Sequence, residues 1–139
     1  GRGRGPAGPD RDPAVSRRTV TSGAEWEAVY GYRRAVRLGD VIAVAGTTAP
    51  GPDAYVQASA AFRIAPDALA ELGGRPEEVI RTRMFVVDMA DAEAVGRAHA
   101  EAFGAHPPAA TMLAVSALIA PDLLVEVEVD AVVKRDATP

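Results

Sequence analysis

The sequence predicts a small α+β protein, and three features support that prediction. Two short β-type runs, residues 34–37 and 41–46, flank a turn at residues 38–40 and indicate a hairpin. Two segments with helical spacing, residues 57–72 and 91–103, alternate with further β-type runs. Because the first strand pair is a hairpin, a sheet of parallel strands alone is not expected. The predicted element order is β-β-α-β-α-β-β.

Length and composition fit one globular domain. The chain has 139 residues, of which 48% are hydrophobic and 24% are charged, close to the average for soluble domains. A chain of this size buries enough surface to fold without a disulfide or a metal. The absence of cysteine excludes a disulfide, a thiolate nucleophile and a cysteine-based zinc site. The formal net charge of −4 provides no overall positive field for nucleic acid.

The N-terminal segment, residues 1–18, predicts a disordered tail. It mixes Gly, Pro and Arg with few apolar groups, so burial cannot offset the entropy lost on ordering. Its Arg-Gly repeats are typical of RNA-binding segments, but the acidic remainder of the chain favours a simple solvated terminus. The prediction is a single domain over residues 19–134, followed by a C-terminal tail at residues 135–139.

The sequence contains no recognisable targeting or membrane segment. The positive charges near the N-terminus are not followed by the apolar core of a signal peptide. The longest stretch without a charged residue, residues 102–121, is interrupted by Pro107 and Pro108. We therefore expect a cytoplasmic protein without a membrane partner.

The first half of the predicted domain contains the hairpin and a helix. Both alternating sets of the strand at residues 41–46 are apolar, which is typical of a strand covered on both faces. After a Pro- and Gly-rich loop, the first predicted helix covers residues 57–72. Pro66 lies inside it and should bend or split it, since proline removes a backbone donor. The glycine pair at residues 73–74 should end the helix.

The second half continues with a strand, a helix and two strands. The first strand is predicted at residues 79–87, and the helix follows at residues 91–103 with Asp91 as its N-cap. The last two strands are predicted at residues 111–116 and 123–134. The helices should cover one face of the sheet.

A row of acids on the last strand is the sharpest feature for chemistry. Glu126, Glu128 and Asp130 alternate on one face, where neighbouring side chains stand roughly 6.5–7 Å apart. One interpretation is cross-strand pairing with Arg81 and Arg83, which contributes roughly 0.2–1 kcal/mol for each pair. The other is that one carboxylate points into a pocket and moves a proton.

The remaining candidate residues have structural interpretations. His99 and His106 are more typical of packed or hydrogen-bonded groups than of ligands. Trp26 and Tyr30 are interpreted as packing residues that anchor the tail. The sequence contains no phosphate loop, dinucleotide fingerprint, nucleophile elbow or metal motif, so no cofactor and no metal are expected.

Four stretches match, in order and spacing, the motifs of one known family. The first begins at Tyr32, continues through the turn at residues 38–40 and ends in an apolar strand at Gly46. The other three are residues 72–74 with 79–82, residues 88–103, and residues 107–109 with 124–132. Together they resemble the Rid (YjgF) superfamily, the reactive-intermediate deaminases, over about residues 28–134.

The resemblance implies a fold, an assembly and an activity. The fold is a chorismate-mutase-like mixed sheet with two helices packed on one face. The assembly is a homotrimer with small-molecule clefts between subunits. The activity is hydrolysis of 2-imino acids, formed through enamines, to 2-keto acids and ammonia without a cofactor. In that reaction a carboxylate positions a water or moves its proton.

The resemblance also assigns candidate residues. Glu126 matches the family's cleft glutamate and Tyr32 its cleft tyrosine, and these two are the candidate catalytic residues. Gly46 keeps the family glycine, and Thr47 follows it. The same alignment brings the segment Thr111–Met112 into the wall of the cleft as substrate-binding residues.

One departure from the family pattern changes the expected substrate. The family arginine that binds the substrate carboxylate corresponds to Ala110, which cannot make a bidentate charge-assisted contact. The chain therefore resembles an arginine-less Rid branch, in which 2-imino acid deaminase activity is not expected. A neighbouring arginine could replace the missing guanidinium, but the sequence does not indicate which one.

Three functions remain open from the sequence. The first is a Rid-like hydrolase of an imine, an enamine or a related reactive intermediate, including a natural-product tailoring enzyme. The second is a non-catalytic trimer that binds a small molecule or regulates another protein. The third is a ribonuclease, which the acidic domain and the scarcity of histidine disfavour.

Overall fold

The computed structural model describes residues 16–135, which build a six-stranded sheet with two long helices against it. The strands are β1 (Arg17–Val20), β2 (Ala35–Leu38), β3 (Val41–Thr47), β4 (Val79–Val86), β5 (Ala109–Ala114) and β6 (Val125–Val132). The helices are α1 (Glu25–Tyr30), α2 (Ala54–Glu71) and α3 (Ala92–Phe103). Short 3₁₀ turns at Pro76–Glu78 and Met89–Asp91 precede β4 and α3.

The sheet is mixed, with the strand order β1-β2-β3-β6-β4-β5. The neighbouring strands pair antiparallel except for β4 and β5, which are parallel. Helix α3 connects that parallel pair, because parallel neighbours need a crossover rather than a tight turn. Helix α2 packs on β3 and β6, and α3 packs on α2. The predicted α+β class, with helices packed on the sheet, is confirmed.

The structure adds β1 and α1 before the predicted hairpin. The run of β1, RRTV, has no apolar alternation, so a period-two pattern cannot reveal it. Pairing with β2 builds it instead, and Arg18 donates to the Leu72 carbonyl oxygen at 3.3 Å. The sequence places Arg17 and Arg18 in the predicted tail, so the structured part begins earlier than predicted. Residues 1–15 and 136–139 of the predicted tails lie outside the described residues.

Helix α2 runs through Pro66 without interruption, so the alternative of a split helix is wrong. It also begins three residues earlier than predicted, because the Asp53 side chain accepts a hydrogen bond from the Val56 amide at 2.9 Å and caps the helix. Buried residues lie on both sides of the proline, from Ala54 to Leu69. Their packing on the sheet holds the helix together across the missing backbone hydrogen bond.

The hydrophobic core lies between the sheet and the helices. Alternate residues of β6 that face α2 are fully buried, as the alternation predicts: Val125, Val127, Val129 and Ala131. Many buried positions of α2 are alanines, which bring its backbone close to these valines. The opposite face of the sheet carries the acid row, and we call it the open face because neither α2 nor α3 covers it.

The predicted capping role of Asp91 is wrong. Its side chain makes no capping hydrogen bond, and its backbone is already helical, with φ −85° and ψ 0°. The cap comes from Asp88, whose side chain accepts from the Ala90 amide at 2.9 Å. Because a 3₁₀ turn precedes α3, the helical segment begins before Asp91, and the residue that caps it is Asp88.

His99 is a packed residue of the core, in agreement with its structural interpretation. Its Nε2 lies 2.7 Å from the hydroxyl of Thr82, which is fully buried. Its ring meets Phe62 and Phe103 at centroid distances of 5.5 and 5.1 Å. Burial lowers the pKa of His99, so the folded state favours the neutral ring.

We expect the substitution His99→Leu to reduce both stability and its pH dependence. At about pH 7 the free energy of unfolding should fall by about 1–3 kcal/mol, since the Thr82 hydroxyl loses its partner. The wild type should lose stability as the pH falls below about 6.5, because the unfolded state then binds more protons than the folded state. That slope should flatten in the variant. Urea denaturation at several pH values measures both effects, with the exposed His106→Gln as the control that keeps the wild-type slope.

Candidate functional site

The open face of the sheet divides into an apolar part and a charged part. The apolar part lies where β2, β3 and β6 align, and the paired residues Leu38, Val41 and Val132 are 53%, 54% and 41% exposed. The charged part lies where β6 meets β4, with Glu128 opposite Arg83. The candidate catalytic glutamate belongs to the charged part.

Cross-strand pairing accounts for two of the three acids. Arg83 Nη1 lies 3.4 Å from Glu128 Oε1 and 3.0 Å from Asp130 Oδ2, so one guanidinium pairs with both carboxylates. Arg81, the other arginine of the predicted pairing, has no carboxylate partner in residues 16–135. The interpretation of the acid row as cross-strand pairing is therefore confirmed for Glu128 and Asp130.

Glu126 is the acid that this pairing leaves out. Its cross-strand neighbour on β4 is Phe85 rather than an arginine. In the described part of the chain, its carboxylate has neither an ion pair nor a hydrogen bond. The Oε2 atom lies over Gly46: a β-carbon there would collide with this oxygen and stand 3.0 Å from Cδ. The glycine thus provides the space that the carboxylate occupies.

The surroundings of Glu126 favour its protonated form. Burial raises the pKa of Glu126, and the negative charge of Glu128 raises it further. The Arg34 guanidinium acts in the opposite direction. A carboxyl with a raised pKa exchanges a proton closer to neutral pH, which suits general acid–base chemistry.

Arg34 supports the backbone on which this site stands. Its Nη2 donates to the carbonyl oxygens of Ala45 and Gly46, the latter at 3.0 Å, and to Thr47 Oγ1 at 2.7 Å. These contacts hold β3 where its register with β6 shifts, between Val44 and Thr47.

The charge of Arg34 also reaches Glu126. Burial lowers the pKa of Arg34, while the negative charges of Glu27 and Glu126 act against that shift. Its Nε is buried and has no acceptor among residues 16–135. The sequence indicated only that a neighbouring arginine could replace the missing guanidinium. The position of Arg34, two residues after Tyr32, was the available signal.

Thr47 and Tyr32 occupy different places in the site. Thr47 is 1% exposed, and its hydroxyl accepts from Arg34 and donates to the Ala45 carbonyl at 2.9 Å. It therefore belongs to the scaffold beneath Glu126. Tyr32 follows α1 and is 43% exposed. Its ring lines a cavity of about 560 Å³ together with Arg17 and Ala45.

The three candidate residues of β5 do not gather around Glu126 within one chain. Thr111 pairs with Arg83 and shares the open face, one strand beyond the acid row. Ala110 pairs with Thr82 and Met112 with Met84, and those two partners face the helices. Met112 packs against the core of its own chain, so the structure does not bring Ala110 and Met112 to Glu126.

Two kinds of site are absent from the described residues. No group of three or more histidine, cysteine, aspartate or glutamate side chains in residues 16–135 could hold a metal ion. None of the helices in this part of the chain is long and apolar enough to cross a membrane.

Comparisons with known proteins agree on one family. A family model described as Endoribonuclease L-PSP matches residues 22–133. An uncharacterized protein of Streptomyces coelicolor is 45% identical over 121 residues, which cover 82% of this chain and 90% of the relative.

Solved structures show the same relationship. A crystal structure from Mycobacterium tuberculosis, described as a member of the YjgF/YER057c/UK114 family, is 47% identical, with a TM-score of 0.83 over 85% of this chain and 100% of that chain. A Pseudomonas aeruginosa protein of unknown function is 24% identical, with a TM-score of 0.74 over 84% of this chain and 92% of that chain. The second likeness shows the fold alone.

We expect the substitution Glu128→Gln to lower the pKa of Glu126. It removes a neighbouring negative charge and also frees Arg83, and both changes favour the ionised form of Glu126. A ¹³C NMR titration of the glutamate side-chain carboxyls measures the change. Asp130→Asn is the matched control, because it frees the same arginine but lies one position farther along the row. An equal shift in both variants would contradict a direct effect of Glu128.

Proposed function

The chain belongs to the Rid (YjgF) family, and on that premise we propose that it hydrolyses an imine, an enamine or a related reactive intermediate. The observation that carries the proposal is the state of Glu126. It is the acid of its row without an arginine partner, and burial raises its pKa. The proposed site is a cleft between subunits of a homotrimer.

The proposed reaction uses Glu126 as a proton shuttle. A water adds to the carbon of the C=N bond while the Glu126 carboxylate accepts one of the water's protons. The π electrons of the C=N bond move to nitrogen, and Glu126 returns the same proton there, which gives a tetrahedral carbinolamine and restores the carboxylate. Glu126 then accepts the hydroxyl proton of the carbinolamine and passes it to nitrogen as the C–N bond breaks, so the products are a carbonyl compound and ammonia. No step needs a cofactor.

The other candidate residues have supporting roles. Tyr32 and Thr111, both exposed on the surface of the chain, would orient the substrate and the water by hydrogen bonds. Ala110 provides no guanidinium for a substrate carboxylate. We therefore expect a neutral or amine-bearing substrate rather than a small 2-imino acid.

The apolar part of the open face supports the trimeric assembly. Leu38, Val41 and Val132 form one exposed row across three strands. Contact with further copies of the chain would bury this row. The same assembly would bring β5 of a neighbour to Glu126, which a single chain does not achieve.

A second candidate function is non-catalytic binding of a small molecule. The observation that favours it is Ala110, since loss of the anchoring arginine removes the contact on which the family's deaminase reaction depends. A ribonuclease, the activity in the description of the matching family model, is less favoured. The row of three acids on the open face would repel RNA phosphates.

We expect the substitution Glu126→Gln to reduce ammonia release by about 10²–10⁴-fold, because the amide cannot accept the proton of the water. The measurement is ammonia release from a panel of imines without a carboxylate, generated in situ by an amine oxidase. Glu71→Gln, an exposed exchange at the end of α2, is the matched control and should keep the wild-type rate. Full activity in Glu126→Gln would contradict the proton-shuttle role. Thermal stabilisation of the wild type by a ligand, without ammonia from any imine, would favour the non-catalytic alternative.

The substitution Gly46→Ala should displace the carboxylate without removing it. The added methyl would take the space of Glu126 Oε2, so the side chain must turn away and the rate should fall by at least about 10-fold. The same exchange in the Glu126→Gln background should cause little further loss, since the group it displaces is already inactive. Independent, additive losses in the double variant would contradict this account. Circular dichroism of all three variants controls for folding.

A further inference from the structure

A second, apolar cavity adjoins the proposed site. Its volume is about 400 Å³, and its lining consists of Trp26, Tyr30, Tyr32 and Ile119. These side chains are 52%, 71%, 43% and 91% exposed, respectively. The rings of Trp26 and Tyr30 stack at a centroid distance of 5.4 Å and an angle of 16°. The chain thus presents flat aromatic surfaces to solvent at one place.

The hydrogen bonds of α1 explain why these rings point outward. The buried residue of this short helix is Glu27, not an apolar residue. Its carboxylate accepts from the Thr21 hydroxyl at 2.7 Å and from the Ser22 amide at 2.9 Å. Because a polar anchor fixes the inner side of the helix, Trp26 and Tyr30, which are four residues apart, share its outer side. The aromatic pair is therefore not needed to hold α1 in place.

The cavity is connected to the proposed site through Tyr32. This ring lines the aromatic cavity and also the larger cavity that contains Ala45, the residue before Gly46. A molecule that fills the aromatic cavity would thus lie against Tyr32, which also lines the cavity beside Ala45.

We infer that the cavity of Trp26, Tyr30, Tyr32 and Ile119 binds an aromatic group of the substrate or ligand. The inference rests on the proposed function for the identity of the reacting end, which would face Glu126. The volume lies within the range of about 300–1,000 Å³ that small-molecule sites occupy. The lining carries no charged side chain, and its ring faces suit a flat apolar group. The occupant is a small molecule with an aryl ring.

Trp26 allows this inference to be tested directly, because it is the single tryptophan of the chain. The full chain is titrated with benzyl alcohol and with cyclohexylmethanol, its saturated counterpart, while tryptophan emission is recorded. We expect a saturable change with benzyl alcohol and at least about threefold weaker binding of cyclohexylmethanol. N-acetyltryptophanamide under the same conditions corrects for solvent effects on the emission. Equal or non-saturable responses to both probes would overturn the inference.

A matched pair of variants locates the binding. Ile119→Ser changes a side chain that is 91% exposed, so it should weaken benzyl alcohol binding about threefold or more without affecting the fold. Ile80→Ser changes an exposed isoleucine of β4 outside the cavity and should leave binding unchanged. Equal binding by both variants would place the probe elsewhere and overturn the inference.

Two other occupants have distinct signatures. If a second copy covered the cavity, emission would depend on protein concentration, and Ile119→Ser would change the mass measured by light scattering. If the N-terminal segment covered it, deletion of residues 1–15 would shift the emission of the protein without ligand. Either result would overturn the inference. Emission that is unchanged in both tests supports a free small-molecule cavity.

The activity assay separates failure of this inference from failure of the proposed function. Imines with a phenyl side chain should react with a kcat/KM about tenfold higher than matched imines with a cyclohexyl side chain. Hydrolysis without that preference would overturn the inference that the cavity binds an aromatic group, but it would still support the proposed hydrolase. Probe binding that persists in wild type and Glu126→Gln, without hydrolysis of any imine, would overturn the hydrolase and support the cavity.

Discussion

The clamp of Arg34 on β3 is the constraint on which the open face depends. Strand β3 changes register with β6 just before Thr47, and a regular ladder cannot satisfy the carbonyl groups there. Arg34 supplies donors to the carbonyl oxygens of Ala45 and Gly46 and to the hydroxyl of Thr47. The shifted backbone then presents a position without a side chain beneath Glu126. Without the clamp, neither the space for the carboxylate nor its surroundings would be defined.

The charge balance of the open face follows from strand register rather than from composition. Three acids lie on one face of β6, but the pairing of β4 places one arginine where it reaches two of them. The third acid, Glu126, faces an aromatic ring and a glycine, so burial is not compensated by a direct partner. A structural salt bridge and a candidate catalytic acid thus arise from neighbouring positions of the same strand.

The sequence predicted local periodicity well and long-range register poorly. Alternation along β6 identified both the buried valines and the acid row, because a strand has a period of two residues. It could not identify which acid lacks a partner, since that depends on the alignment of β4 with β6. Of the two predicted effects of Pro66, a bend or a split of the helix, the split was wrong because the packing of α2 against the sheet outweighs one missing hydrogen bond. Strand β1 was missed because pairing, not hydrophobic pattern, builds it.

The proposed correspondence of Ala110 to the family arginine can be considered together with the position of Arg34. A guanidinium whose Nη2 already donates to three oxygens of β3 is part of the scaffold, and binding a substrate carboxylate would compete with that role. Because Arg17 and Arg33 line the cavity of Tyr32, specificity in the proposed site would come from shape and apolar contact as well as from charge. The aromatic surfaces around Tyr32 provide contact of that kind. Under the proposed function, loss of one charged anchor and gain of an apolar subsite would together favour neutral or amine-bearing substrates with an aromatic group.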